Sequence, residues 1–148
     1  MADSDTLDFI ASQSKAKLAK IQGEIPIGQI VKAWCEDNGM DFKESSSMND
    51  ETIWHFRGAS VRDADKILKH AQDGNHNMAS CHAIHIRVCN ETGKREFRPH
   101  QIDKIVAFDP EIIMSIISYM GGYDSILEDA NPDVDQLGND SESTKEQT

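Results

Sequence analysis

The chain has 148 residues, 26 of them acidic and 15 basic, and its formal net charge is −11. Nucleic-acid phosphates and anionic membranes repel an acidic chain unless its basic residues cluster, and here they do not. No apolar run reaches the roughly 20 residues that a bilayer-spanning helix needs, and we expect no signal peptide. Three cysteines at unrelated spacings indicate a reducing compartment rather than a disulfide framework. The composition therefore predicts a soluble intracellular protein that binds neither nucleic acid nor membrane.

The negative charge is concentrated towards the C-terminus. Residues 128–148 hold seven acids and one lysine, a net charge of −6, which leaves −5 for the other 127 residues. This end is polar and lacks aromatic residues, a composition typical of disorder. We therefore predict a folded part followed by a disordered acidic tail, residues 129–148.

The first fifty residues predict two helices and a linker. Residues 6–22 place apolar side chains at three- and four-residue spacing, and Gly23 can end this helix. Pro26 suits the start of a second, shorter helix. Residues 43–51 are polar and rich in serine, as is typical of a linker. We therefore expect residues 1–42 to form a helical N-terminal segment that is joined loosely to the rest of the chain.

Residues 52–128 predict a small helical domain with a short strand or hairpin. Residues 52–57 carry the aromatic pattern of a strand, and Ser60 can cap the helix that comes after it. The inner face of that helix is expected to carry Val61, Ala64, Leu68 and Ala71. Asp109 can cap a later, strongly apolar helix. The predicted fold class is therefore mainly α.

Residues 78–88 suit two structures. Ile84, Ile86 and Val88 alternate as in a strand that leads into a turn at Gly93. Ala79 and Ile86 also suit a helix, and apolar periodicity does not decide between the two for so short a run.

A cluster of cysteine and histidine side chains in the same stretch invites a metal interpretation. The candidate ligands are Cys81, His82, His85 and Cys89. In a helix the last three share a face, and in a strand Cys81, His85 and Cys89 share one, so either could approach the tetrahedral nitrogen and sulfur set of zinc. No spacing matches paired C-x-x-C knuckles, and thiols are commonly buried as small hydrophobes. We therefore predict no metal and no other cofactor.

Catalytic motifs are not evident. The chain has no phosphate-binding glycine loop, no G-x-S-x-G elbow and no H-E-x-x-H pair. We therefore predict that the protein is not an enzyme.

The helix after Asp109 carries the densest apolar face of the chain. Its members are Ile113, Ile116, Ile117 and Met120. Such a stripe usually forms the core of the domain. The alternative is a groove that binds a partner helix.

The order of elements between residues 52 and about 129 forms a further pattern. An extended piece at 54–58 precedes a capped helix, a polar spacer and an alanine-rich apolar segment at 79–88. Next come a turn with glycine, arginine and phenylalanine at 90–97 and an amphipathic helix through Met120. This succession resembles the tail assembly chaperones of long-tailed bacteriophages. The resemblance implies that residues 79–88 are helical.

The resemblance also implies a function. Such a chaperone binds and solubilises the long, apolar tape measure protein, helps to recruit tail tube protein in the host cytoplasm, and is not expected in the mature virion. On this interpretation we expect partner contacts from Trp34, Trp54, Ile113, Ile116, Ile117 and Met120. A homo-oligomer is a further expected form.

The alternative function belongs to another class, a small acidic inhibitor that mimics nucleic acid and binds a basic host protein. The acid excess allows it. However, a mimic needs negative charge along a folded face, and about half of the net charge lies in the predicted tail.

Overall fold

The computed structural model of the protein describes residues 3–130. Its helices and strands occur in this chain order: α1 (Ser4–Leu18), β1 (Ile21–Ile25), α2 (Ile27–Asp37), β2 (Trp54–Arg57), α3 (Val61–Gln72), α4 (His76–Arg87), β3 (Val88–Cys89), a 3-10 turn (Pro99–Gln101), α5 (Ile102–Ile105), α6 (Pro110–Tyr119) and α7 (Tyr123–Ala130). Helices dominate, which confirms the predicted mainly-α class with a small strand element. Of these helices, none is long and apolar enough to cross a lipid bilayer. In the predicted acidic tail, residues 131–148 lie outside the described part of the chain.

The three strands form an antiparallel sheet in the order β1-β2-β3. Ile25 pairs with Trp54, Phe56 pairs with Val88, and the β1 register shifts between Ile21 and Gly23. A Cβ atom on Gly23 would lie 2.8 Å from the Phe56 ring, so the close approach of β1 to β2 needs glycine there. The predicted helix 6–22 was therefore wrong at its end, because the backbone from Ile21 onward takes its hydrogen-bond partners from β2.

The sheet and the core also hold the N-terminal segment. Ile25 and Ile27 are almost completely buried, and the Gly28 amide donates to the Thr52 carbonyl oxygen at 3.0 Å. The 43–51 stretch forms no helix or strand, yet its Met48 packs against the core. Residues 21–37 therefore share one core with the elements from β2 onward, and the expected loose attachment does not hold for them.

α4 lies at the centre of the molecule, where it contacts α3, α5 and α6. From Ala79 to Arg87 every residue except His82 is buried. A helix that is covered on nearly all sides has no polar stripe, which explains why its periodicity was ambiguous. The segment is helical through Arg87 and only then extended, so the helical alternative is confirmed.

Arg87 is a buried charge that joins three parts of the chain. Its Nε donates to the Arg57 carbonyl oxygen and its Nη2 to Gln22 Oε1, each at 2.7 Å. Its guanidinium carbon also lies 5.7 Å from the centroid of the Phe56 ring. Charge-assisted bonds of this kind are stronger than neutral ones. Arg87 therefore ties the end of α4 to β2 and to the segment that carries β1.

The helix caps agree with the predictions. Ser60 Oγ accepts from the Asp63 amide at 3.3 Å, and Asp109 Oδ1 accepts from the Glu111 amide at 2.8 Å. The inner face of α3 differs from the prediction, because Val61 is 82% exposed at its first turn and Ile67 is buried instead. α7 was not predicted from the sequence, and its buried Ile126 belongs to the core.

Candidate functional site

The apolar face of α6 that was expected to contact a partner lies in the core. Ile113, Ile116, Ile117 and Met120 are at most 4% exposed. α6 contacts α4, α2 and β1, and these four side chains belong to the main hydrophobic cluster. The core interpretation of this stripe therefore holds, and the four residues are not available at the surface to a partner.

The other side of α6 borders an open groove. Ile112, Ser115 and Tyr119 lie at three- and four-residue spacing and face α2. The groove has a volume of about 630 Å³, and Tyr119 is 52% exposed at its edge. We call it the α2–α6 groove, and its lining residues are Gln29, Ile30, Ala33, Trp34, Asp37, Asn38, Glu111, Ile112, Ser115 and Tyr119.

Trp34 contributes the largest side chain to the groove wall. The neighbouring face of α2 is fixed to the core by the buried Ile27 and Cys35, and Trp34 lies at the edge of that face, where it borders the groove. The Trp34 side chain is half-buried, so part of its apolar surface remains accessible from the groove. Of the residues expected to contact a partner, Trp34 is thus placed at a surface that can do so.

Trp54 lines a second, wholly apolar pocket. This pocket has a volume of about 210 Å³ and is formed by Ile27, Val31, Met48, Trp54, Phe108 and Ile112. The Trp54 ring meets the Phe97 ring edge-on, with centroids 5.2 Å apart, which fixes its orientation. Ile112 of α6 lines both the groove, with Trp34, and the pocket, with Trp54. The groove and the pocket are therefore neighbours that share this residue.

The charge of the groove is negative. Asp37 and Glu111 are its ionisable lining residues apart from Tyr119, and both are exposed. Their carboxylates lie beside apolar walls, so an apolar helix flanked by lysine or arginine would match the groove in both shape and charge.

The four candidate metal ligands do not converge. Cys89 lies on β3 rather than on α4, and His85 Nε2 is 2.8 Å from the Arg98 carbonyl oxygen, to which it donates as an N–H. His82 stacks on His70 with ring centroids 4.5 Å apart. Within residues 3–130 no three His, Cys, Asp or Glu side chains are placed to hold a metal ion.

Burial controls the ionisation of this cluster. It raises the pKa of the Cys81 and Cys89 thiols, so both stay protonated at neutral pH. It also lowers the pKa of His82, and electrostatic repulsion from the neighbouring His70, His85 and Lys66 adds to that effect. Buried, protonated thiols pack as small hydrophobes and are poor nucleophiles.

The sequence did not predict that two sets of apolar residues would lie at the surface. On α6 the predicted partner contacts lie on the buried face, and Ile112 and Tyr119 on the exposed face were not chosen. The signal that could have indicated them is that α6 is apolar almost all round, so it has a second apolar face. On α1 the amphipathic stripe that includes Leu7 and Ile10 was evident, but the structure leaves this stripe uncovered, with these residues 56% and 55% exposed. No residue of α1 is buried.

The described surface therefore offers two apolar regions, the α2–α6 groove with its neighbouring pocket and the exposed face of α1. Regions of this kind accommodate a segment of another protein more readily than a small polar molecule. Comparison of the chain with protein-family models, with curated proteins and with solved structures finds no match.

Proposed function

We propose that the protein is a bacteriophage tail assembly chaperone that binds and solubilises a tape measure protein and helps to recruit tail tube subunits in the host cytoplasm. The proposal starts from the resemblance in element order between residues 52 and about 129. The resemblance implies that residues 79–88 are helical. α4 includes most of them, which supports the proposal. It is a binding function, with no catalytic step.

The observation that carries the proposal is the α2–α6 groove and its extension across Ile112 into the apolar pocket. An amphipathic helix binds such a groove by placing side chains at i, i+3 or i+4, and i+7 against its walls. The groove offers Trp34 on one wall and Tyr119 on the other, both partly accessible. A long apolar helical client presents such stripes repeatedly, and it aggregates when they are left uncovered.

The charge of the protein is consistent with the same role. The acidic groove residues Asp37 and Glu111 favour a client helix whose apolar stripe is bordered by basic residues. The net charge of −11 opposes the association of one complex with another. Binding through the groove and dispersal through charge are thus separate contributions to client solubility.

The test is co-expression with the tape measure protein that the proposal assigns as the client. We expect the client to move from the insoluble to the soluble fraction and to co-purify with the chaperone. If its solubility does not rise and it does not co-purify, the proposed function is wrong.

A matched pair of variants tests the groove itself. Ser115→Arg puts a long charged side chain into the groove, whereas Ser118→Arg puts the same side chain on an exposed position of the same helix that does not line it. We expect Ser115→Arg to reduce client co-purification at least about tenfold, the equivalent of about 1.4 kcal/mol, and Ser118→Arg to leave it unchanged. Equal binding by both variants, with helical content intact by circular dichroism, would place the client elsewhere.

A further inference from the structure

α1 leaves the apolar side chains of Leu7 and Ile10 exposed to solvent. It is 15 residues long, and none of its residues is buried. Its C-terminal end is held to the body, where the Gly58 amide donates to the Leu18 carbonyl oxygen at 3.1 Å. Isolated helices of about this length are only marginally stable in water, so α1 gains stability from any surface that covers its apolar face.

That face has a regular spacing. Leu7 and Ser14 lie seven residues apart, Ala11 and Leu18 do the same, and Ile10 borders them, so all five share one side of the helix. Phe9, which is also exposed, lies about 200° around the helix from Leu7. The face therefore forms a narrow stripe of the kind that packs against another helix.

The charges along α1 are divided by sign. The N-terminal half holds Asp5 and Asp8 and is capped by Asp3, whereas the C-terminal half holds Lys15 and Lys17. A second α1 in antiparallel orientation would place its acidic residues beside the lysines of the first. The two helix dipoles would then point in opposite directions, which is the favourable arrangement for neighbouring helices. In a parallel pair, like charges would lie side by side.

A cleft beside the C-terminal half of α1 provides room for side chains of such a helix. Ala11, Ser14 and Leu18 form its α1 wall, Val61 at the start of α3 lines it from the body, and its volume is about 490 Å³. In an antiparallel pair the Leu7 side chain of the second copy comes to the level of Leu18, at this cleft. The arrangement is reciprocal, as a two-fold interface requires.

We propose that the chain forms a homodimer through antiparallel pairing of α1 with α1 of a second copy. Leu7 of each copy packs near Leu18 of the other, and Asp8 of each copy lies near Lys15 of the other. The dimer surface shares no residue with the α2–α6 groove, so this inference does not rest on the proposed function.

The first test is the mass of the full-length protein in solution, measured by light scattering and sedimentation over a range of concentrations. We expect a mass twice the 16.5 kDa of one chain. Leu7→Glu combined with Ile10→Glu should give a monomer, whereas Phe9→Glu, on the other side of the helix, should remain a dimer. A monomeric wild type, a dimer that survives the double substitution, or a dimer that Phe9→Glu abolishes would each overturn the proposal.

A charge exchange tests the antiparallel orientation without removing any apolar contact. Asp8→Lys sets lysine against Lys15 of the other copy, and Lys15→Asp sets aspartate against Asp8, so each variant alone should dimerise about tenfold more weakly, the equivalent of about 1.4 kcal/mol. Mixing the two variants restores opposite charges in both contacts. We expect native mass spectrometry of the mixture to show mainly the heterodimer. A statistical mixture of dimers would refute the pairing of Asp8 with Lys15.

Discussion

Substitution of Ile116 by alanine measures whether the α6 face is core or partner surface. Ile116 is fully buried on the side of α6 that belongs to the main hydrophobic cluster. The change removes three carbon atoms, worth about 2.4 kcal/mol at roughly 0.8 kcal/mol per buried methylene, and the cavity left behind adds to this loss. We therefore expect the free energy of unfolding to fall by about 3–4 kcal/mol.

The assay is urea unfolding of the full-length protein monitored by circular dichroism, with thermal unfolding as a second measurement. A loss of this size corresponds to a fall in Tm of about 10–15 °C for a chain of this length. Met114→Ala on the same helix is the control, because Met114 is 55% exposed and its truncation should change stability by less than about 0.5 kcal/mol. If Ile116→Ala were as stable as the control, the face would not be packed, and its assignment to the core would fail.

Three further substitutions test other parts of the fold. Arg87→Met leaves the Arg57 carbonyl oxygen and Gln22 Oε1 without their donor and should lower the free energy of unfolding by about 2 kcal/mol in a denaturant titration, so a loss below about 1 kcal/mol would contradict the inference that Arg87 links α4 to β2 and β1. Gly93→Ala should destabilise more than Gly74→Ala. Both positions have a positive φ, which costs alanine about 1–2 kcal/mol, but only at Gly93 would the new Cβ collide with a backbone atom, the Ala19 carbonyl oxygen just after α1; equal losses would refute this contact. The pKa of His82 is lower in the folded than in the unfolded chain, so the unfolded chain takes up its proton first and stability falls as the pH drops below about 6.5. His82→Gln should make that decline shallower in unfolding curves recorded from pH 7 to pH 5, and an unchanged slope would show that His82 is not its source.

The features that could be predicted from the sequence depend on residues close together in the chain. The caps at Ser60 and Asp109 join a side chain to an amide two or three residues later, so a short motif contains both partners. Gly121 and Gly122 adopt positive φ values at the end of α6 for an equally local reason. Local motifs therefore determine where several helices begin and end.

The features that were missed depend on distant partners. β1 is a strand because residues 54–57 supply its hydrogen bonds, and within its own sequence Gly23 resembles a helix terminator rather than a point of close contact with Phe56. Long-range pairing of this kind overrides a local pattern. α7 was overlooked for a related reason, because a helix this short depends on burial of Ile126 against the core.

The candidate site shows the same division. The apolar character of α6 was evident, but the helix is apolar almost all round, and periodicity alone does not say which side faces the core. α4 occupies one side and covers Ile116, whereas α2 leaves Ile112 and Tyr119 at an open groove. Which face of α6 is buried therefore depends on its packing against α4 and α2, and the sequence of α6 alone does not determine that packing.

Dimerisation through α1 would increase the affinity of the α2–α6 groove for a long client. A single groove about 630 Å³ in volume buries only a few turns of a client helix, so binding at one copy is expected to be weak. A dimer through α1 carries two such grooves, and a long client with repeated apolar stripes that engages one groove is held at high effective concentration near the other. Weak, repeated contacts of this kind would keep a long apolar client covered and still allow its release segment by segment.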